Sequence, residues 1–496
     1  MTSRKHTIER DHASGAARRA GRRRTAFAAA AVALVLGSCS STEESADDAT
    51  TTVAPATTEP AAATTEPAAP DTTAAEGAAT TEAPATTAPE PVRGVDGDTV
   101  RVGFVISTNQ EAAQAAIGTT GITFVPHQEI VDTLVADLNA GGGLGGKEIV
   151  PVIHETDQVA DTDPQAISRE ICATMTEDNE VYAIVTIGDP STEVLACAND
   201  AGVPLFASSG ANFTFSDQGV YDANPLYVNP SAINLDRAAT ALVEGLDQAG
   251  FFTDDAVVGV IRLSSPAFDA AAANSLEPAL AAAGVEPVVT AALATIATSD
   301  DIGRFSSEAE ATVLEMKEAG VTHLVFFESG GAAPFFFLAA ARNQGFEPAL
   351  GVSSLSGGQT LVQNIGTGGT AVAWSPVGDV PEASQLPESP AATECLDLVD
   401  STRAVFTSAN AVSETLRFCD AVWVLQAAVE AAGGTVAAAD LVGAVEGLGD
   451  SYQSPTALAT TFGPGRRDGV SEYYLTDYDP SCSCNVYRAG GPYPID

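Results

Sequence analysis

The sequence is short of positive charge. Lys and Arg number 22 against 65 Asp and Glu in 496 residues. The shortage deepens beyond residue 38, because the first 38 residues hold eight basic residues (Arg4, Lys5, Arg10, Arg18, Arg19, Arg22, Arg23, Arg24) and two acids (Glu9, Asp11). What remains has 14 basic against 63 acidic side chains, a net charge of −49. Such a surface repels phosphate backbones and anionic lipid, which excludes nucleic acid as a partner. Histidine is scarce as well: beyond residue 38 there are only His127, His154 and His323, far apart and without ligand spacing, so no metal or cofactor is expected. A hydrolase elbow is missing, since Leu355 stands where G-x-S-x-G after Ser353 needs its last glycine, and no histidine follows. Acids are plentiful everywhere, so composition leaves a glycosidase-type carboxylate pair open, but the chain is not expected to be an enzyme.

Long apolar runs are also absent. The longest near the N-terminus, Ala26 to Leu36, is too short to span a bilayer and follows a basic region, as in a signal peptide. Leu36-Gly37-Ser38-Cys39 behind it resembles a bacterial lipobox, in which Cys39 is lipidated and becomes the new N-terminus. Residues 1–38 are therefore expected to be a lipoprotein signal peptide. Residues 39–97 are rich in Thr, Ala, Pro and Glu, with TTEPAA at Thr57–Ala62 and again at Thr64–Ala69, and no aromatic residue. That composition cannot bury enough surface to offset its ordering entropy, and a disordered tether is expected.

From Val100 the pattern becomes strand–helix alternation. VRVGFVI (Val100–Ile106), EIVPVI (Glu148–Ile153), YAIVTI (Tyr182–Ile187) and VPLFAS (Val203–Ser208) read as strands, with helices at 126–139, Asp163–Thr176 and Pro190–Asp200. The alternation resumes with strands Ala256–Arg262, Glu286–Thr290, Thr322–Ser329 and Ala371–Pro376, and the C-terminal segment reads as a hairpin. Strict alternation predicts parallel sheets covered on both faces. Gly141, Gly143 and Gly146 satisfy the G-x-G-x-x-G spacing of a dinucleotide loop, but they follow a helix and open a strand. A pyrophosphate loop needs the reverse order, so the glycines predict a helix end and a tight return.

Several stretches now resemble the type-1 periplasmic-binding fold of branched-chain amino-acid-type ABC-transporter solute receptors. They are Val100-Arg101-Val102-Gly103, then Leu138-Asn139-Ala140-Gly141-Gly142-Gly143-Leu144-Gly145-Gly146-Lys147-Glu148-Ile149, and Cys419-Asp420-Ala421-Val422, with Cys where the family has Tyr. The resemblance spans about residues 98–496 and implies an α/β fold of two Rossmann-like lobes with parallel sheets, joined by a three-crossing hinge. Transferred to this chain, one lobe is 98–229 plus 352–450 and the other 230–351 plus 451–496. A ligand would bind between them and shift an open–closed equilibrium.

In open α/β sheets ligands sit beyond the carboxyl ends of the strands. The candidates there are Ser107, Asp189, Ser191, Thr192, Ser208, Ser209 and Gly210 from one lobe, and Phe268, Glu328 and Ser329 from the other. Each has a plainer reading. Asp189 before Pro190 can be a helix N-cap, Ser191 and Thr192 helix-start residues, and Phe268 a core side chain rather than the aromatic that packs on ligands in relatives. Glu328 follows two phenylalanines on a buried strand, where a ligand ammonium is one candidate partner. The chain departs from the family where Pro-Leu-Ser-Gly is replaced by the longer Ser107–Phe124, and an acidic Asp189 argues against a simple amino-acid ligand. Cys172 and Cys197 lie on consecutive helices that right-handed crossovers place side by side, and the family often has a disulfide there. Cys395 with Cys419 is a second expected pair, and Cys482 with Cys484 either forms a short ring or leaves a free thiol. The resemblance implies a monomeric, lipid-anchored receptor outside the cell membrane that delivers an amino acid, amide or similar polar solute to an ABC permease pair. A ligand-sensing lipoprotein that signals to a membrane receptor or enzyme is the alternative.

Overall fold

A computed structural model describes residues 91–496, apart from 117–121, 161–162, 211–212, 297–300, 358–360, 363–365 and 376–387. The expected signal peptide, Cys39 and nearly all of the tether lie outside the described residues.

The first sheet contains β1 (Val95–Asp96), β2 (Thr99–Thr108), β3 (Glu148–Asp157), β4 (Ala183–Ile187), β5 (Leu205–Ser208) and β6 (Tyr227–Val228). Its parallel order is β3-β2-β4-β5-β6, with β1 turned back antiparallel on the start of β2. Alternate side chains of β2 show why this stretch is a strand with both faces covered. Val100, Val102, Phe104 and Ile106 enter one core and Val105 packs into the opposite one.

The helices of this half are α1 (Gln110–Ala116), α2 (His127–Ala140), α3 (Pro164–Cys172), α4 (Thr192–Asp200) and α5 (Gln218–Ala223). Their starts follow from local chemistry. The Asp163 carboxylate accepts from Gln165 N with Pro164 in the first turn, and Ser191 Oγ accepts from Val194 N. The glycine run is the expected turn. Gly142, Gly143, Gly145 and Gly146 all have positive φ, and a Cβ on Gly143 would lie 1.9 Å from the Lys147 carbonyl oxygen. Asn139 clamps the return, donating to Ile149 O at 3.1 Å and accepting from Ile149 N at 2.7 Å.

The second half carries α6 (Leu235–Gln248), β7 (Val258–Ser264), α7 (Pro266–Ala271), α8 (Glu277–Ala282), β8 (Val289–Ala294), α9 (Asp301–Glu318), β9 (His323–Phe327), α10 (Ala332–Asn343), β10 (Ala349–Ser353) and β11 (Thr370–Ala373). After α11 (Pro390–Asp400), α12 (Ala409–Ala432) and α13 (Ala438–Gly447), the chain ends with β12 (Glu472–Asp479), β13 (Cys484–Tyr487) and β14 (Tyr493–Pro494). The second sheet is ordered β8-β7-β9-β10-β11-β12-β13, parallel from β8 to β11 and antiparallel beyond. Because β10 and β11 sit inside this sheet, Val352, Ser353 and Thr370–Ala373 belong to the second lobe and not, as the resemblance had implied, to the first. Pairing with β7 also sets β8 later than the expected 286–290, leaving Val288 exposed.

Helices α11 to α13 return to the first sheet, so the chain changes sides three times: at 229–234, between β11 and α11, and between α13 and β12. The first and third passages are bonded together. Asn229 N donates to Arg467 O, Gly469 N to Asn229 O and Val470 N to Ala232 O, while Asn234 N donates to the Asp468 carboxylate at 2.8 Å. Gly469 is required there, since a Cβ would lie 2.1 Å from Pro230 O. Disulfides join Cys172–Cys197 and Cys395–Cys419, each with Cα atoms about 6 Å apart, and Cys482–Cys484 closes the short ring.

Candidate ligand site between the sheets

Both sheets reverse direction of growth at one place, between β2 and β4 in the first and between β7 and β9 in the second. Such switch points leave a crevice at the carboxyl ends of the strands. On the first lobe the crevice is edged by the loops after β2, β4 and β5; on the second, by those after β7 and β9.

The loop after β5 is the most rigidly built. Ser208 and Ser209 are fully buried. Ser208 Oγ donates to Asp420 at 2.9 Å and meets Ser231 Oγ at 2.8 Å, Ser209 Oγ accepts from Asn229 Nδ2 at 3.0 Å, and Gly210 N donates to Ser231 Oγ. Gly210 has φ 67°, and a Cβ on it would stand 2.5 Å from Arg417 Nε, so the guanidinium lies directly over this backbone. Burial pulls the Arg417 guanidinium below its ordinary value, while Glu414 one turn back opposes this.

Asp420, one turn further along α12, also accepts from Tyr452 OH at 2.7 Å and Thr456 Oγ1 at 3.1 Å, both on the third passage between lobes. Burial raises its pKa to about 6 although four hydroxyls, of Tyr452, Ser208, Ser454 and Thr456, favour the charged form. The aspartate of the Cys419-Asp420-Ala421-Val422 stretch therefore ties the β5 loop to the third passage between lobes.

Asp189 does not cap the helix that follows it, a part taken by Ser191. The aspartate is half-buried, accepting from Phe215 N at 2.6 Å, Ser216 Oγ at 3.1 Å and Tyr227 OH at 2.6 Å. Burial pushes its carboxyl upward, with those three donors holding it down. Its role is to fix residues 213–216, which reach the other lobe. Thr214 N donates to Ser329 Oγ at 3.1 Å, Phe213 packs over Gly330, and Phe215 meets Phe268 with ring centroids 6.3 Å apart.

The structure separates the remaining candidates. Ser191 is the N-cap of α4 and bonds Ser168 on α3, while Thr192 is exposed beside Glu193. Phe268 is wholly buried between Phe215 and Phe327 and is a core side chain. Ser107 stays at the crevice, its Oγ accepting from Gln158 Nε2. Its backbone N–H donates to His127 Nδ1 at 3.0 Å, which places the ring proton on Nε2, 2.7 Å from Glu414. Serine, histidine and carboxylate thus meet, but the serine hydroxyl is not the histidine's partner, and nothing here activates a nucleophile.

Glu328 lies at the end of β9, 1 % exposed. Oε2 accepts from Gly331 N at 3.0 Å. Burial raises its pKa to about 8, opposed by the neighbouring Ser356 hydroxyl and by Gly331 N–H. His127, Glu414, Arg417 and Ser356 were not singled out from the sequence. Glu414, Arg417 and Asp420 did carry a signal: charges recurring at helical spacing through an apolar helix, where burial demands a partner.

No curated protein matches the chain by sequence. Solved structures do match in fold. A type 1 periplasmic binding protein from Bordetella pertussis Tohama I is 17% identical with a TM-score of 0.53, covering 80% of this chain and 99% of that one. An ABC-transporter solute binding protein from R. palustris in complex with 4-hydroxybenzoate is 16% identical with a TM-score of 0.57, covering 80% and 98%. An ABC transporter substrate-binding protein from Desulfitobacterium hafniense in complex with Leu is 14% identical with a TM-score of 0.51, covering 79% and 100%. Residues 99–483 match the Periplasmic binding protein family, and with both sheets and their shared crevice in place, the chain belongs to that family.

Proposed function

We propose that the chain is an extracytoplasmic receptor, held to the outer face of the cell membrane by a lipid on Cys39, that closes its lobes on a small polar solute and passes it to an ABC permease pair. The observation that carries this reading is the convergence of polar loops from both lobes at the switch points. Ser107, Ser208, Ser209 and Gly210 come from one side, Glu328 and Ser329 from the other. Arg417 over Gly210 favours a carboxylate on the solute. The 4-hydroxybenzoate and Leu named with two similar structures each carry one. Asp189 does not oppose an anion here, because its carboxylate is spent on Phe215, Ser216 and Tyr227. Closure needs only that the solute bind the closed arrangement better than the open one.

A thermal-unfolding screen of the full chain against amino acids, amides, polyamines, sugars and aromatic acids tests this. A solute at a hundredfold excess over its Kd stabilises by about 2.7 kcal/mol, and Arg417→Met should remove the shift for carboxylates. No shift across the panel would sink the reading. A solute that binds, but whose uptake by cells is unchanged when the gene is deleted, would move the role to ligand sensing.

A further inference from the structure

The three disulfides serve different ends. Cys395–Cys419 is wholly buried between α11 and α12, and Cys172–Cys197 ties α3 to α4. Their sequence separations of 24 and 25 residues mean that each removes much freedom from the unfolded chain. Cys482–Cys484 has a separation of 2. Closure entropy scales as the three-halves power of loop length, so the short ring couples to folding on the order of thirtyfold more weakly in equilibrium constant. Reduction of the two long-range bonds is opposed by the stability of the fold, and reduction of the short ring hardly at all.

The hairpin that carries the ring is held by other means. β12 and β13 pair at four positions, Thr476–Tyr487, Asp477–Val486, Tyr478–Asn485 and Asp479–Cys484. The Asp479 carboxylate accepts from Ser481 N at 2.7 Å and shapes the turn. Because β12 runs antiparallel to β11, this tip lies at the amino ends of the parallel strands, away from the crevice.

The two sulfurs differ in access. Cys482 is exposed between Ser481 and Ser483, whereas Cys484 at the start of β13 is 6 % exposed. A thiolate arriving from solvent meets Cys482 Sγ, and Cys484 is the leaving sulfur. Ser483 between them has φ 52°, a left-handed backbone that a serine adopts at a cost, and opening the ring lets it relax. The tip is also acidic. Its bonds with Ser481 hold the Asp479 carboxyl below the ordinary range, and Arg488 on the same hairpin is engaged by Asp477. Such a site repels an anionic thiol and admits a neutral or cationic one.

We propose that Cys482–Cys484 is a thiol–disulfide exchange site, an activity separate from the crevice, which oxidises a neutral or cationic dithiol. One partner thiolate attacks Cys482 Sγ; the Cys482–Cys484 bond breaks, a mixed disulfide forms on Cys482, and Cys484 leaves as a thiolate that takes up a proton. The partner's second thiol then loses its proton and displaces Cys482, which is protonated in turn. Two partner thiols become one disulfide, and this disulfide becomes two thiols. The site does not depend on the solute-receptor reading.

Equilibration of the full chain in graded glutathione buffers, quenched by alkylation and read by peptide mass spectrometry, tests this. Cys482–Cys484 is expected to open at a [GSH]²/[GSSG] value about tenfold or more below that needed for the other two pairs, with the unfolding temperature unchanged. The one-thiol probe cysteamine should be found on Cys482. Relative to a small-molecule disulfide, it should react about threefold or more faster than anionic 3-mercaptopropionate, and Asp479→Asn should narrow that difference. Without oxygen, the chain should oxidise dithiothreitol or a lysine-flanked Cys-Ala-Ala-Cys peptide; the faster of the two tells a small dithiol from a protein-borne pair. The Cys482→Ser, Cys484→Ser double variant should lose this activity and unfold within about 2 °C of the parent. A ring that opens only together with the other pairs, a mixed disulfide on Cys484, or dithiol oxidation no faster than by the double variant would each overturn the inference. So would a double variant that unfolds more than about 5 °C lower, since the ring would then be a structural brace.

Discussion

Asp420 is fully buried and holds the hydroxyls of Ser208, Tyr452 and Thr456, from the β5 loop and the third passage between lobes. Replacing it with alanine leaves Tyr452 OH and Thr456 Oγ1 without their main acceptor. Ser208 Oγ keeps Ser231, and Tyr452 OH retains a bond to the Asp420 carbonyl oxygen. With about 1–3 kcal/mol for each orphaned group, the expected loss is about 3 kcal/mol. Asparagine keeps one acceptor and should cost roughly half that. The pH dependence is the sharper test. The folded carboxyl sits at about 6 against 3.8 ordinarily, so its contribution is fully present below the ordinary value and is lost as pH rises through about 6. Between those limits the folded chain binds a proton that the unfolded chain has released. The stability of the parent relative to Asp420→Asn should therefore fall by about 1.4 kcal/mol per pH unit from about pH 4 to pH 6, then level off. Urea unfolding of both chains at pH 4 to 8 measures it. Parallel curves, or a difference that grows with pH, would refute a buried carboxyl held near neutrality, and a salt-bridged aspartate would take its place.

The same logic moves to higher pH at Glu328. Its raised folded value predicts that stability relative to Glu328→Gln declines from about pH 4.5 and levels off only near pH 8, which thermal unfolding in a buffer series will show. Gly143→Ala should lower the unfolding temperature, because both its φ of 76° and the Lys147 carbonyl forbid a side chain, and should leave the affinity for any captured solute unchanged. A loss of affinity at unchanged stability would bring the glycine run back as a site. Cys39→Ala should yield protein that is unprocessed or released from membranes; normal lipidation of that variant, followed by fractionation and mass spectrometry, would end the anchor assignment.

How much of this was legible depended on whether the physics was local. Strand–helix alternation was, since buried β-branched runs such as Val100–Ile106 admit few other readings, and so was the Asn139–Gly146 turn, whose glycines, their φ values and the Asn139 clamp all lie within about a dozen residues. The assignment of β11 was not. Thr370–Ala373 follows β10 closely and reads as a strand either way, and its pairing with β10 on one side and with Leu475 and neighbours in β12, a hundred residues on, places it in the second sheet. Single side chains were harder still. Asp189-Pro190 has the local form of a helix start, yet a serine one residue later caps the helix, and the aspartate instead serves a loop 26 residues away. Local chemistry offered two caps, and a tertiary demand decided between them: the N–H of Phe215 and the hydroxyls of Ser216 and Tyr227 needed an acceptor. The useful sequence signal at such a site is therefore the cost of burial more than the residue type. Glu328 behind two buried phenylalanines, and Glu414, Arg417 and Asp420 within an apolar helix, each announced an unpaid desolvation. Glu414 and Asp420 settle it inside the fold, through His127 and a ring of hydroxyls. Glu328, just past the end of β9, settles it through the Gly331 N–H and the neighbouring Ser356 hydroxyl.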